Sequence, residues 1–220
     1  MTNNSGAGPD GGGAVMGETQ TNSAYNFIGC TFTNNRVIGN SGNTYGGAIH
    51  INGGTLNLGS SIFVNNAATG QGGLGGAIYA DAGAVNMSFC RLVGNTATSG
   101  AGALYNHGSN GASTVATNNW WGCNGGPGAA GCDVVASDGG ILTYTPWLII
   151  TNTASPGTIN IGQSTTLISS VLKNSSNQTL TAAQVAVLIG LPLTWNAGPH
   201  GILSGAQPTI QPFFRYWTAI

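Results

Sequence analysis

Between Tyr25 and Asn106 the chain is written in short apolar runs that alternate residue by residue with small or polar positions, and the runs recur. Gly47, Ile49 and Ile51 share one face of an alternating strand, as do Gly76, Ile78 and Ala80. A second apolar pair follows in each case, Leu56 with Leu58 and Val85 with Met87. A third follows that, Ser61 with Phe63 and Cys90 with Leu92. From Ile49 to Phe63 is 14 positions, and from Ile78 to Leu92 is again 14. An interval held while the residues between it change marks an internal repeat, and a repeat of this length predicts a solenoid. A weaker copy precedes it (Gly13-Ala14-Val15 with Phe32-Thr33-Asn34-Asn35) and another opens at Gly102-Ala103-Leu104, giving about four units. Each unit predicts two or three short strands joined by tight turns. Equivalent columns then stack into a parallel β-helix with rungs ~4.8 Å apart.

A polar column supports the stacking. Asn35, Asn66 and Asn95 each stand three residues after the apolar anchor of their strand, where a stacked carboxamide can bond to the rungs above and below. The alternative is three unrelated turn asparagines. Length variation is confined to one corner, in Gly-rich loops such as Gly70-Gln71-Gly72-Gly73-Leu74, so the loops are expected on one side of the stack. His50, Tyr79 and Tyr105 each follow a core residue, so they are expected to point outward as an aromatic stripe beginning at Met16. Such rings can pack on sugars or partner side chains; they can also serve only to protect the sheet. Nothing in residues 1–20 stands ready to cap a stack, which predicts a frayed edge there.

Residues 114–142 are expected to close the stack, with Trp120 and Trp121 covering the exposed coil end. Cys123 and Cys132 are separated by eight residues that include Gly125-Gly126-Pro127-Gly128, flexible enough for the sulfurs to meet. A disulfide here implies an oxidising compartment. A metal site is the alternative, but no second cysteine pair or nearby histidine supplies four ligands. Cys30 and Cys90 share a column with Ser61 between them, ~10 Å apart at this rung spacing, and are expected as buried, unpaired thiols.

The pattern changes at Thr143-Tyr144-Thr145-Pro146-Trp147. Apolar segments at 148–150, 158–161, 164–172 and 184–189 alternate with Pro-Gly, Gly-Gln and Asn-Ser-Ser-Asn turns, a spacing that suits an antiparallel β-sandwich. About 74 residues follow Pro146, fewer than the roughly 100 such a sandwich needs, and the aromatic tail 213–217 does not alternate like a closing strand. The expected organisation is a β-helix over 1–122, a disulfide-closed cap and linker over 123–145, and a partial β-sandwich domain over 146–220.

Composition narrows the functional classes. Gly accounts for 38 of 220 residues and charged residues for 4%, so Asn, Ser and Thr occupy the polar positions and an all-β chain is expected. Four basic residues and a net charge of -1 leave no patch for phosphates or anionic lipid, so neither nucleic acid nor membrane insertion of this segment is expected. Glycoside hydrolysis needs paired carboxylates, and lyase chemistry a base with acid-held Ca²⁺. The acids are Asp10, Glu18, Asp81, Asp133 and Asp138, of which only Asp81 lies within the repeats, and His107 and His200 show no companions. No enzyme, cofactor or metal is expected. Asp133 and Asp138 read as solvated, with weak cation binding as the alternative. Ice binding would want Thr-x-Thr repeated, and it occurs once, at Thr31 and Thr33.

The paired Gly-Gly-Ala-Ile and Phe-x-x-Asn tetrapeptides at 46–49 and 63–66, varied at 75–78 and 92–95, resemble the repeats of polymorphic outer-membrane proteins and related right-handed β-helix surface proteins. The run Asn118-Asn119-Trp120-Trp121-Gly122-Cys123 resembles the closing segment of bacterial extracellular β-helix proteins. Residues 147–210, with Ala154-Ser155-Pro156, Gly162-Gln163-Ser164 and Gly201-Ile202-Leu203-Ser204, are similar to the start of invasin-type immunoglobulin-like repeats. The resemblance implies a secreted or cell-surface bacterial protein, adhesive in character, with glycans or neighbouring-cell surface proteins as partners. It also implies an internal fragment of a longer chain, since Met1-Thr2-Asn3-Asn4-Ser5 does not read as a signal peptide.

Overall fold

The computed structural model describes residues 1–7, 11–17, 22–39, 42–160, 162–194, 202–204, 209–211 and 216–219. The chain divides into two compact units, Met1–Trp147 and Leu148–Ile220. Nearly all regular structure in both is β. Asp10, Glu18, His200, Gly201 and the tail 212–215 lie outside the described residues.

The first unit is a parallel β-solenoid of about four turns, with three sheets running along it. One sheet stacks the long, bent strands Ile49–Gly59 and Ile78–Ser88, continued by Leu104–Asn106 and Ser113–Val115 and then by Val135–Ser137 and Ile141–Thr143. The second stacks Thr31–Thr33, Ile62–Val64 and Arg91–Val93. The third stacks Ser5–Ala7, Arg36–Ile38, Ala67–Thr69 and Thr96–Ala97. Pairing is between equivalent positions of successive copies: Ile49 with Ile78, Phe63 with Leu92, Ile78 with Leu104.

The apolar columns meet inside the coil. Ile49, Ile51, Leu56, Phe63, Ile78, Val85, Leu92 and Leu104 are all fully buried in one continuous cluster. Phe32 and Phe63 lie face to face, ring centres 4.8 Å apart, because rung spacing sets the distance between equivalent side chains. The Gly-Gly-Ala motif has a steric cause. Gly46 and Gly75 adopt φ of 59° and 62°, and a Cβ on Gly47 or Gly76 would run into backbone of an adjacent segment, Gly76 O and Thr96 O respectively. The other two corners also use left-handed backbone, at Gly29, Ser60, Phe89 and Asn118 and at Asn34, Asn65 and Gly94. Glycine and asparagine tolerate it; Ser60, at φ 47°, and Phe89, at φ 55°, are the exceptions, and Phe89 is the bulky one.

Two expectations at the ends are corrected. Residues near the amino terminus form a further layer of paired strands instead of fraying: Ser5–Ala7 lies against Arg36–Ile38, Val15–Gly17 against Ile49–Ile51, and the Met1 ammonium donates to Thr31 O at 2.7 Å. Residues 135–143, expected as linker, supply two more strands in solenoid register. Open backbone groups on the preceding coil make both additions favourable. Between them Trp121, fully buried, extends the column of Phe32, Phe63 and Leu92 and closes the core. Cys30 and Cys90 are unpaired, but only Cys90 is buried, since Cys30 lies two coils nearer the amino-terminal edge.

In the second unit the described strands form one four-stranded antiparallel sheet built on the hairpin Leu148–Ser155 with Thr165–Asn174; Tyr216–Ala219 pairs with the latter and Ile202–Ser204 adds outside it. A second facing sheet is not among the described residues. Three expectations fail here. Residues 158–160 form bends and unpaired chain, with Ile161 outside the described set, while Tyr216–Ala219 pairs as a strand. Residues 184–189 form turns and a 3-10 helix, Ala186–Leu188. The turn leading into it is held by Thr181 and Gln184: Gln184 Oε1 accepts from Thr181 N at 2.8 Å and Thr181 Oγ1 from Gln184 N at 3.4 Å, a reciprocal pair that takes the chain out of the extended form the valines favour.

Candidate functional site

The register of the long-strand sheet places Met16 against His50, His50 against Tyr79, and Tyr79 against Tyr105. The His50 and Tyr79 rings meet edge to face at 5.1 Å, and Tyr79 and Tyr105 lie parallel within 12°, centres 5.8 Å apart. The stripe therefore forms, but it is not open. His50 is 4% and Tyr79 2% exposed, and only Tyr105 keeps a half-open ring. Tyr45 covers the stack, 4.4 Å from Tyr79 ring to ring, held by a bridge to Leu74 and by Asn43 Nδ2 donating to its hydroxyl at 2.9 Å. Gly100 lets the next loop close down, because a Cβ there would strike Leu74 and crowd Tyr105. The loops that vary in length thus cover the rings with half-buried residues of their own, Tyr45 among them.

Beside the stripe lies a polar column that strand-by-strand reading overlooked. Asp81, His107 and Asp138 each stand two residues after the stripe positions Tyr79, Tyr105 and Ala136, so they occupy one column in three successive rungs. His107 Nδ1 is 2.7 Å from Asp81 Oδ1, and its Nε2 is 3.2 Å from Asp138 Oδ2. The Tyr79 hydroxyl completes a triangle, 2.9 Å from His107 Nδ1 and 3.3 Å from Asp81 Oδ1. Ser109 donates to Asp138 from its N–H at 3.1 Å and from its hydroxyl at 2.8 Å. His107 does have companions, and two carboxylates do converge, contrary to the expectation from the sequence. The recoverable signal was Tyr-x-Asp, Tyr-x-His and Ala-x-Asp in the register that predicted the stripe.

The electrostatics follow from this packing. Burial, and then the Asp81 charge, push the Tyr79 phenol far above its ordinary value. Burial and the Asp138 charge raise Tyr105 in the same sense. Desolvation raises the Asp138 carboxyl, but the two Ser109 hydrogen bonds and His107 outweigh it and hold it below the ordinary carboxylate range. The imidazole fills the space between the two carboxylates, where a glycosidic bond would have to lie for acid–base cleavage. Since His107 meets each aspartate with a different nitrogen, the three have no common point for a cation. No group of three His, Cys, Asp or Glu among the described residues is placed to hold a metal.

The asparagine column is a directed chain of bonds. Asn4 Nδ2 donates to Asn35 Oδ1 at 2.8 Å, Asn35 Nδ2 to Asn66 Oδ1 at 2.9 Å, and Asn66 Nδ2 to Asn95 Oδ1 at 2.9 Å. Asn95 Nδ2 then donates to Asp133 Oδ2 at 2.7 Å. The backbone N–H groups of Asn95 and Gly94 also donate to Asp133, at 3.2 and 2.8 Å. Asp133 is 8% exposed, not solvated as expected. A carboxylate accepts only, so it ends a ladder in which every earlier member donates onward. Burial raises its carboxyl more than these bonds lower it. The Cys123–Cys132 disulfide, Cα atoms 5.1 Å apart, closes the loop immediately before it, and Asp133 N donates to Trp121 O at 2.7 Å. No helix among the described residues is long and apolar enough to cross a membrane. No family model matches the chain, and neither a curated protein nor a solved structure matches it.

Proposed function

We propose that the solenoid is a non-enzymatic scaffold with adhesive function, part of an extracellular or bacterial cell-surface protein, and that residues 148–220 act as an immunoglobulin-like spacer. The observation that carries this reading is the fate of the reactive side chains: Asp81, His107, Asp138 and Asp133 are spent on bonds between rungs. The disulfide agrees with an oxidising compartment. A right-handed coil, as in the polymorphic outer-membrane-type repeats the sequence resembles, is the sense that parallel β crossovers take. The test is adhesion of the full chain to immobilised glycans and to cells, run beside a reducing-end assay on plant and bacterial polysaccharides. Adhesion without turnover is the expected result, and released ends would overturn the non-enzymatic reading.

A second reading, a carbohydrate-binding module acting through the stripe, is favoured by one observation. The half-open Tyr105 ring lies parallel to a fixed Tyr79 and so presents a rigid stacking platform. Tyr105→Ala should abolish glycan binding if that platform is the site. Tyr79→Ala should act only through stability, because that ring is covered.

A further inference from the structure

A second outward face of the long-strand sheet carries its own ladder. Asn57 Nδ2 donates to Asn26 Oδ1 at 2.8 Å, and Asn86 Nδ2 to Asn57 Oδ1 at 3.0 Å, so these carboxamides are held in one orientation while remaining at the surface. Over Asn57 and Asn86 runs an open groove of about 380 Å³, whose other walls include Ile28, Ser88, Val115 and Thr117. Ile28, 68% exposed, leans across Gly59, since a Cβ there would meet Ile28 Cδ1 at 2.9 Å. The corner next to this face is Gly29, Ser60, Phe89 and Asn118, all with left-handed backbone. Phe89 directly follows groove-lining Ser88 and is half-buried. Its counterparts Gly29, Ser60 and Asn118 are all small or turn-forming, so a bulky aromatic in this conformation is held against local preference, and such outliers point to function.

We propose that this groove binds an uncharged β-linked oligosaccharide lying along the solenoid axis, with Asn57 and Asn86 bonding successive sugars and Phe89 giving one of them an apolar platform. This rests on the adhesive reading above and names its ligand. Three features select the occupant. Among the described residues no charged side chain lines the groove, so uronates and sulfated chains find no cation there. Beneath Asn57 and Asn86 the strands Ile49–Gly59 and Ile78–Ser88 are already paired on both edges, so an extended peptide has no backbone to join there. Each oriented carboxamide has a second N–H and a second lone pair at the rung spacing of ~4.8 Å, close to the length of one β-linked pyranose, and hydroxyls both donate and accept.

The test is calorimetric titration of the full chain with neutral hexasaccharides of β-1,4-linked glucose, xylose and N-acetylglucosamine, and with hexagalacturonate and a heparin hexasaccharide. At least one neutral probe should bind and the two anionic probes should not. Asn57→Ala/Asn86→Ala should weaken that binding about tenfold or more. Phe89→Asn, which relieves the backbone, should keep or raise the melting temperature while weakening binding, and it decides the matter if the double variant fails to fold. Tyr105→Ala should leave this binding unchanged. Binding lost in Tyr105→Ala and kept in the groove variants overturns the groove but not the adhesive reading, as does adhesion to cells with no neutral probe bound. Failure of the chain to adhere to cells or to any glycan overturns both.

Discussion

Asp133 shows how one atom type decides a structure's end. Asp133→Asn keeps the size of the side chain but turns an N–H₂ toward either Gly94 N–H or the Asn95 donors, leaving donor facing donor in a buried site. The expected cost is about 1–3 kcal/mol, read as a fall in denaturant midpoint at unchanged m-value. A pH titration of the variants isolates a second residue. Tyr79 is raised in the folded state, so its contribution is complete below the ordinary phenol value near 10 and is lost as pH climbs beyond it, where the unfolded chain ionises first. Tyr79→Phe should therefore flatten the alkaline fall in melting temperature. An unchanged alkaline limb would mean that the phenol is not held neutral by burial. Asp138 works in the other direction: it is lowered, so its contribution is present above the ordinary carboxylate range and fades as acid protonates it.

At the scale of the element, the Asn ladder acts as a unit because each member satisfies both the side chain and the backbone N–H of the one before it. Asn66→Ala removes the acceptor of Asn35 N and Nδ2 together, at 3.0 and 2.9 Å, and strips one donor from Asn95 Oδ1. Two buried donors are orphaned, so a loss of about 3 kcal/mol is expected by chemical denaturation. A smaller loss than for a typical surface asparagine would contradict the ladder's role. Its existence was legible from Asn35, Asn66 and Asn95 alone, because one offset from the apolar anchor, kept in three successive units, stacks the three carboxamides in a single column. Its two end members were not. Asn4 and Asp133 fall outside the repeat, and only folding brings residues 38 apart, Asn95 and Asp133, into contact.

For the solenoid as a whole, each coil is supported by its two neighbours, so stability should be highest in the middle and fall toward open ends. The carboxyl-terminal end is the stapled one. Cys123→Ala/Cys132→Ala opens a loop whose closure is worth about 2–3 kcal/mol in the chain-entropy account. Hydrogen exchange should then accelerate over 120–143 and at Gly94 and Asn95, whose N–H groups Asp133 holds, while residues 49–64 stay protected. Uniform acceleration through the whole stack would instead show a single cooperative unit.

The repeat by itself determined the parallel coil, the inward columns and the neighbours within each column, because a fixed period leaves one register that buries Ile49, Ile78 and Leu104 together. It also carried the stripe of His50, Tyr79 and Tyr105, while the short flexible loop between Cys123 and Cys132, outside the repeat, put those two sulfurs within reach of each other. What the tertiary structure decided was exposure and partnership. Whether Tyr79 is a surface ring or a buried one depends on where Tyr45 settles, and a variable loop outside the period encodes no such position. Whether Asp81, His107 and Asp138 are three scattered polar residues or one linked column depends on strands from different rungs lying side by side, which alternation within a strand does not express.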